Sequence, residues 1–183
     1  METTTNFDDI RQILFELAQS QKETDRITQR NAKLIGDLGN KFGSFTEGMA
    51  FPAMEKILWE RFGMTTVTTR YKTQRGGDTI EIDVLGIANG AVNTVVVVEV
   101  KSRPKSRDID QMIKILNRFT DYFPEQNGKK LYGILAFIDA SDHVIQEAEK
   151  AGLYLARIHD DLFDLLPLSR FLPKDFSQVD ARR

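Results

Sequence analysis

At 183 residues, 41% hydrophobic and 28% charged, the chain has the make-up of one soluble globular domain with an extension. Cysteine is absent, which excludes disulfides, thiolate metal sites and cysteine nucleophiles. The net charge of −2, from 25 basic and 27 acidic residues, leaves any contact with nucleic acid to a local patch rather than to bulk electrostatics. No apolar run is long enough to cross a bilayer, and residues 1–9 lack the basic-then-apolar order of a secretory signal, so no membrane partner and a cytoplasmic location are expected.

Ile10, Ile13, Leu17, Ser20, Thr24, Ile27, Asn31, Leu34 and Leu38 recur at alternating spacings of three and four, a heptad seam free of proline and glycine up to Ile35. Such a stretch is either an amphipathic helix packed on its own domain or a coiled coil whose polar members fix register. The expectation is a helical arm over residues 1–38 that joins the chain into a homodimer or higher oligomer, ahead of a domain over residues 39–183. From Lys41 a second helical stripe follows, Phe45, Met49, Met54, Ile57, Leu58 and Phe62, with Trp59 expected in the core. Pro52 should bend or interrupt this helix, and Gly63 should end it.

Three strands come next. Residues 65–72 are rich in β-branched side chains; 79–88 alternate, with Ile80, Ile82 and Val84 expected on one face; 92–100 form a central strand buried on both sides. Asn89-Gly90 between the last two is a hairpin signal. Residues 106–123 read as a helix with Ile109, Met112, Ile113, Leu116 and Phe119 inward. A strand at 131–138, a Ser141-capped helix at 142–151, a strand at 153–158 and short helical turns over 162–176 complete the reading. Hairpins join the early strands and crossover helices the later ones, so the fold class is α/β with a mixed central sheet flanked by helices.

The chemistry gathers at residues 83–101. Glu99 and Lys101 lie two apart at the end of the valine-rich strand and so share a face, where burial is costly without a partner or a task. Asp83 sits on the neighbouring strand, and a hairpin would bring all three together. Two hard carboxylates, with the Val100 carbonyl between Glu99 and Lys101, suit Mg²⁺ or Mn²⁺, and a lysine alongside can orient an attacking water. Glu47, on the preceding helix, is the candidate for a third carboxylate.

This pattern resembles the PD-(D/E)XK, or restriction-endonuclease-like, nuclease superfamily. The likeness lies in Ile82-Asp83-Val84-Leu85-Gly86 followed by Val96-Val97-Val98-Glu99-Val100-Lys101-Ser102, with Ile82 where the family's proline would stand. The element order also matches that family's αβββαβ core, and the arm is similar to that of an uncharacterised branch. The resemblance implies Asp83 and Glu99 as metal ligands, with Glu81, on the same strand face, as the alternative to Asp83. It implies Lys101 as the catalytic lysine, Glu47 as the first-helix acid and Gln111 as a polar residue near the site. It implies a metal-dependent nuclease acting on nucleic acid, with DNA the expected substrate. Arg70, Lys72 and Arg75, and the alternating Arg103, Lys105 and Arg107, are candidate backbone contacts. The rival expectation is an inactive nuclease-like scaffold, or a nucleic-acid-binding protein, that works through its coiled coil.

Overall fold

The computed structural model of the protein describes residues 7–159, 162–167 and 171–178. In chain order they form α1 (Phe7–Phe62), β1 (Thr66–Arg75), β2 (Asp78–Ala88), β3 (Thr94–Lys101), α2 (Ser106–Asn117), α3 (Phe119–Tyr122), β4 (Lys130–Phe137), α4 (Asp142–Lys150), β5 (Tyr154–His159) and β6 (Leu162–Leu165). By contact the chain divides into two units, one up to Phe42 and one from Gly43.

The described part of the first unit is helix throughout. The apolar members of its seam, Ile10, Ile13, Leu17, Ile27, Leu34 and Leu38, are all exposed. Thr24 and Thr28 donate their hydroxyls to the carbonyls of Ser20 and Thr24, which keeps these polar groups on the helix itself.

The second unit is built on a six-stranded sheet whose strands lie side by side in chain order. β1, β2 and β3 are antiparallel, β3, β4 and β5 parallel, and β6 returns antiparallel to β5. The expected mixed sheet and αβββαβ core are therefore present. Alternation along β3 explains the layers. Val95 and Val97 pack with Ile109, Met112 and Leu116 of α2 and with Val144 and Ala148 of α4. Val96, Val98 and Val100 pack on Ala50, Met54, Ile57 and Leu58 of α1. Gly90, at φ 66°, supplies the left-handed turn that joins β2 to β3.

Several expectations are corrected by packing. Pro52 does not interrupt α1. A proline inside a helix costs about 3 kcal/mol, but each large side chain buried beside it returns about 1.5–3 kcal/mol, and Met54, Ile57 and Leu58 are all buried. Trp59 is not core: it is 53% exposed, whereas its neighbour Leu58 is fully buried. The helix expected over 106–123 breaks at Arg118, with φ −105° and ψ 5°, into α2 and α3. The break lets both Phe119 and Tyr122 turn inward. Leu162–Leu165 is an edge strand rather than a helical turn, because β5 offers it a free edge. Of the rest of that expected tail, residues 168–170 lie outside the described residues.

A segment near the end straps the sheet. Asp175 accepts the Leu131 N–H at 3.0 Å, and Phe176, itself buried, donates its N–H to the Leu131 carbonyl at 2.8 Å. Lys174 donates to the Gly152 carbonyl at 3.1 Å.

Gly133 of β4 shows how closely α2 sits. A Cβ there would lie 2.8 Å from both Leu116 and Leu153 and 2.9 Å from Met112. Gly133→Val should overfill this layer, cost about 1–3 kcal/mol and lower the urea midpoint. An unchanged midpoint would mean that α2 can lift from the sheet at no cost.

Candidate active site at the fork of two strands

β2 and β3 pair from Ala88↔Thr94 to Val84↔Val98, where their ladder ends. Beyond that point β2 keeps only β1 as a neighbour, so the sheet forks. The β1–β2 register steps over one pair there, with Thr69 opposite Val84 and Tyr71 opposite Ile82. Arg70 stands in the gap with φ 52°, a left-handed conformation that residues with a Cβ avoid. Alternation resets across it: Ile80 and Ile82 pack toward α2, whereas Val84 packs toward α1. The single face expected for these three residues is thereby corrected.

Asp83 fills the fork. Its Oδ2 accepts the Val100 N–H at 2.7 Å, replacing the backbone carbonyl that a continued ladder would have offered. An extended residue presents its N–H and C=O to the same side, so the Val100 carbonyl is also turned to the fork. Glu99, only 9% exposed, and Lys101 leave β3 on a common face, and Lys101 Nζ lies 2.5 Å from Glu99 Oε1. Burial first, and then the negative charges of Glu99 and Glu47, push the Asp83 carboxyl up to about 6, against the Val100 hydrogen bond and Lys101. Burial disfavours the Lys101 ammonium, but the charge and hydrogen bond of Glu99, with Asp83 and Asp108 behind them, hold its pKa above the ordinary lysine value.

Asp83, Glu99, Val100 and Lys101 are thus brought together. Glu47 is near enough for its charge to act on Asp83, yet its Oε2 lies 3.5 Å from Arg70 Nη2, and that guanidinium stacks 5.4 Å from the Phe51 ring. Gln111 makes no hydrogen bond to this group; it lines a cleft beside the fork with Glu81 and Lys114. The basic residues are engaged locally: Lys72 with Glu81 at 3.2 Å, Arg103 with Asp139 at 3.5 Å, and Arg107 with Asp108 at 3.9 Å. Arg75 donates to the Asp121 carbonyl at 3.0 Å, whereas it is the backbone N–H of Lys105, not its ammonium, that donates to Asp108, at 2.8 Å. Asp108, whose charge reaches Lys101, was not among the sequence candidates. Its signal is its place three residues after Lys105, in the first turn of the helix that follows the strand.

Among the described residues, no three Asp, Glu, His or Cys side chains stand close enough to enclose a metal ion. The donor chemistry nonetheless fits Mg²⁺ or Mn²⁺. Magnesium commonly binds through one or two carboxylates and keeps waters and substrate oxygens as its other ligands. Asp83, which retains a proton to about pH 6 beside Glu99, is a site short of positive charge.

The model of the family described as Domain of unknown function (DUF8196) matches residues 50–165, more than half of the chain. The chain belongs to this family. The DUF8196 stretch contains the fork, Asp83, Glu99 and Lys101, while Glu47 precedes it. No protein of curated function matches the chain. Among solved structures, a repair endonuclease from Pyrococcus abyssi is similar at 24% identity and a TM-score of 0.39, over 60% of this chain and 47% of that one. A complex of EndoMS with double-stranded DNA is similar at 16% identity and a TM-score of 0.38, over 61% and 45%. A protein from Vibrio cholerae is similar at 17% identity and a TM-score of 0.42, over 58% and 27%. The chain thus spans less than half the length of each of these structures. Among the described residues, no helix is long and apolar enough to cross a membrane.

The Asp83 carboxyl ordinarily titrates at 3.8 and in the folded chain at about 6, so the native state binds this proton more tightly than the unfolded one. Its contribution to stability is full below about pH 4 and is lost as pH rises through 6, a change of order 3 kcal/mol. Asp83→Asn keeps an acceptor for Val100 and should flatten this decline. In EDTA it should leave the protein about 1–3 kcal/mol more stable at neutral pH, as read from urea melts on both sides of pH 6. An Asn variant less stable than the parent at neutral pH would contradict the assignment.

Proposed function

We propose that the protein is a metal-dependent nuclease that hydrolyses phosphodiester bonds, with DNA as its substrate, and that it works as a dimer through the helix before Phe42. The observation that carries this reading is the buried, proton-hungry Asp83 beside the Glu99–Lys101 pair at the open end of a fork. Asp83 and Glu99 hold the cation, with the Val100 carbonyl alongside and Glu47 assisting directly or through water. Bound there, Mg²⁺ or Mn²⁺ neutralises charge on the phosphate and stabilises the departing oxygen.

The other roles fall to the chain's own groups. Lys101 stays an ammonium at neutral pH, because Glu99 holds its pKa up. It is therefore a hydrogen-bond donor that positions the attacking water rather than a base that deprotonates it. Glu99 fixes the direction of that donor. Arg70, by holding Glu47, limits the negative charge that Asp83 faces. Dimerisation is supported by the exposed seam from Ile10 to Leu38, whose six apolar members, interrupted by Ser20, Thr24 and Asn31, offer a face for a second copy.

Lys101→Met should reduce cleavage by about two orders of magnitude or more in a screen of single-stranded, duplex and branched DNA with Mg²⁺ and with Mn²⁺. Its circular dichroism and its Mn²⁺ binding by calorimetry should be retained. Cleavage at the parent rate by this variant would remove the mechanism. Leu17→Asp together with Leu34→Asp should convert the dimer to a monomer in light scattering; a parent chain that is already monomeric would refute the arm's role.

A further inference from the structure

Beside the fork runs a cleft of about 330 Å³, with Thr79–Glu81 of β2 on one side and Gln111, Lys114 and Ile115 of α2 on the other. Its far end is closed by a set of contacts that the β1–β2 hairpin makes with the α2–α3 junction and with α3. Arg118 Nη2 lies 3.0 Å from Asp78 Oδ2, the Tyr122 hydroxyl donates to the same oxygen at 3.3 Å, and Arg75 holds the Asp121 carbonyl. The other end of the lining is marked by Gln111. Gln111 is one turn beyond Asp108, whose charge acts on Lys101, and the helical rise puts Arg118 about 15 Å further along than Asp108.

The lining has a definite chemistry. Glu81, its one acid, is neutralised by Lys72 at 3.2 Å. Arg118 is committed to Asp78. Lys114 has no ion-pair partner among the described residues and stands exposed at the rim, next to half-buried Ile115 and Ile80. An uncommitted cation above an apolar floor matches a nucleotide, which has an anionic backbone and an apolar base face.

We propose that this cleft takes the unpaired strand flanking the bond to be cut, with a phosphate on Lys114 and Gln111 and a base lying on Ile80 and Ile115. The assignment rests on the nuclease reading above and adds its substrate class: single-stranded or locally unpaired nucleic acid. A space of about 330 Å³ is of small-molecule size and takes one unpaired nucleotide of a strand rather than a base-paired duplex.

The test is fluorescence anisotropy of the full chain with fluorescein-labelled oligothymidylate in EDTA, which separates binding from cleavage. Lys114→Glu should weaken binding about tenfold or more, and Lys114→Ala should flatten the dependence of log Kd on log salt by about 0.7, the loss of one single-strand phosphate contact. Lys150→Glu on α4 makes the same change in net charge away from the cleft and should bind as the parent does. Equal binding by the two Glu variants overturns the cleft assignment alone, as does parent binding to duplex that matches binding to oligothymidylate. A parent chain that binds neither nucleic acid overturns the nuclease reading and the cleft with it.

Discussion

The hydrogen bond from the Val100 N–H to Asp83 organises the end of the sheet where β2 and β3 part. Where β2 leaves β3, a buried edge of backbone donors would be exposed, and an unpaired buried N–H costs about as much as a lost hydrogen bond. Asp83 supplies the missing acceptor. Doing so holds its carboxylate beside Glu99, and that closeness, with burial, raises its proton affinity. One contact thus ends the ladder, opens the fork and sets the charge state of the hollow.

Such a site is stable only because the neighbouring layers carry more than it costs. Every valine of β3 is buried, alternately against α1 and against α2 and α4. Glu99 and Lys101 emerge at the end of that strand, where Lys101 still reaches solvent. Glu99 is neutralised within its own strand, while Asp83 on the next strand has no direct ion pair among the described residues. The negative charge of the hollow is therefore balanced at Glu99 and unbalanced at Asp83.

Much of this was readable in the chain. The valine run gave a strand buried on both faces, Asn89-Gly90 gave its hairpin, and period-two spacing put Glu99 and Lys101 on one face toward a neighbouring acid. What escaped the sequence depends on partners remote in the chain. The left-handed Arg70 is held by Glu47 and Phe51 on α1, so no local pattern could announce the step in alternation between Ile82 and Val84. The break at Arg118 answers to Asp78, 40 residues earlier. The resemblance implies Gln111 near the site, and the structure adds that it lines the cleft with Glu81. Lys114 looks like any helix lysine until β2 is placed opposite.

The strap at residues 171–178 bears on what counts as the folding unit. The family's matched stretch closes at Leu165, but Leu131 at the head of β4 gives both its N–H and its carbonyl to Asp175 and Phe176. A recombinant fragment trimmed to the matched borders would strip a bound pseudo-strand from β4 and empty the socket of a buried phenyl ring. The autonomous module therefore outreaches its recognisable sequence signature.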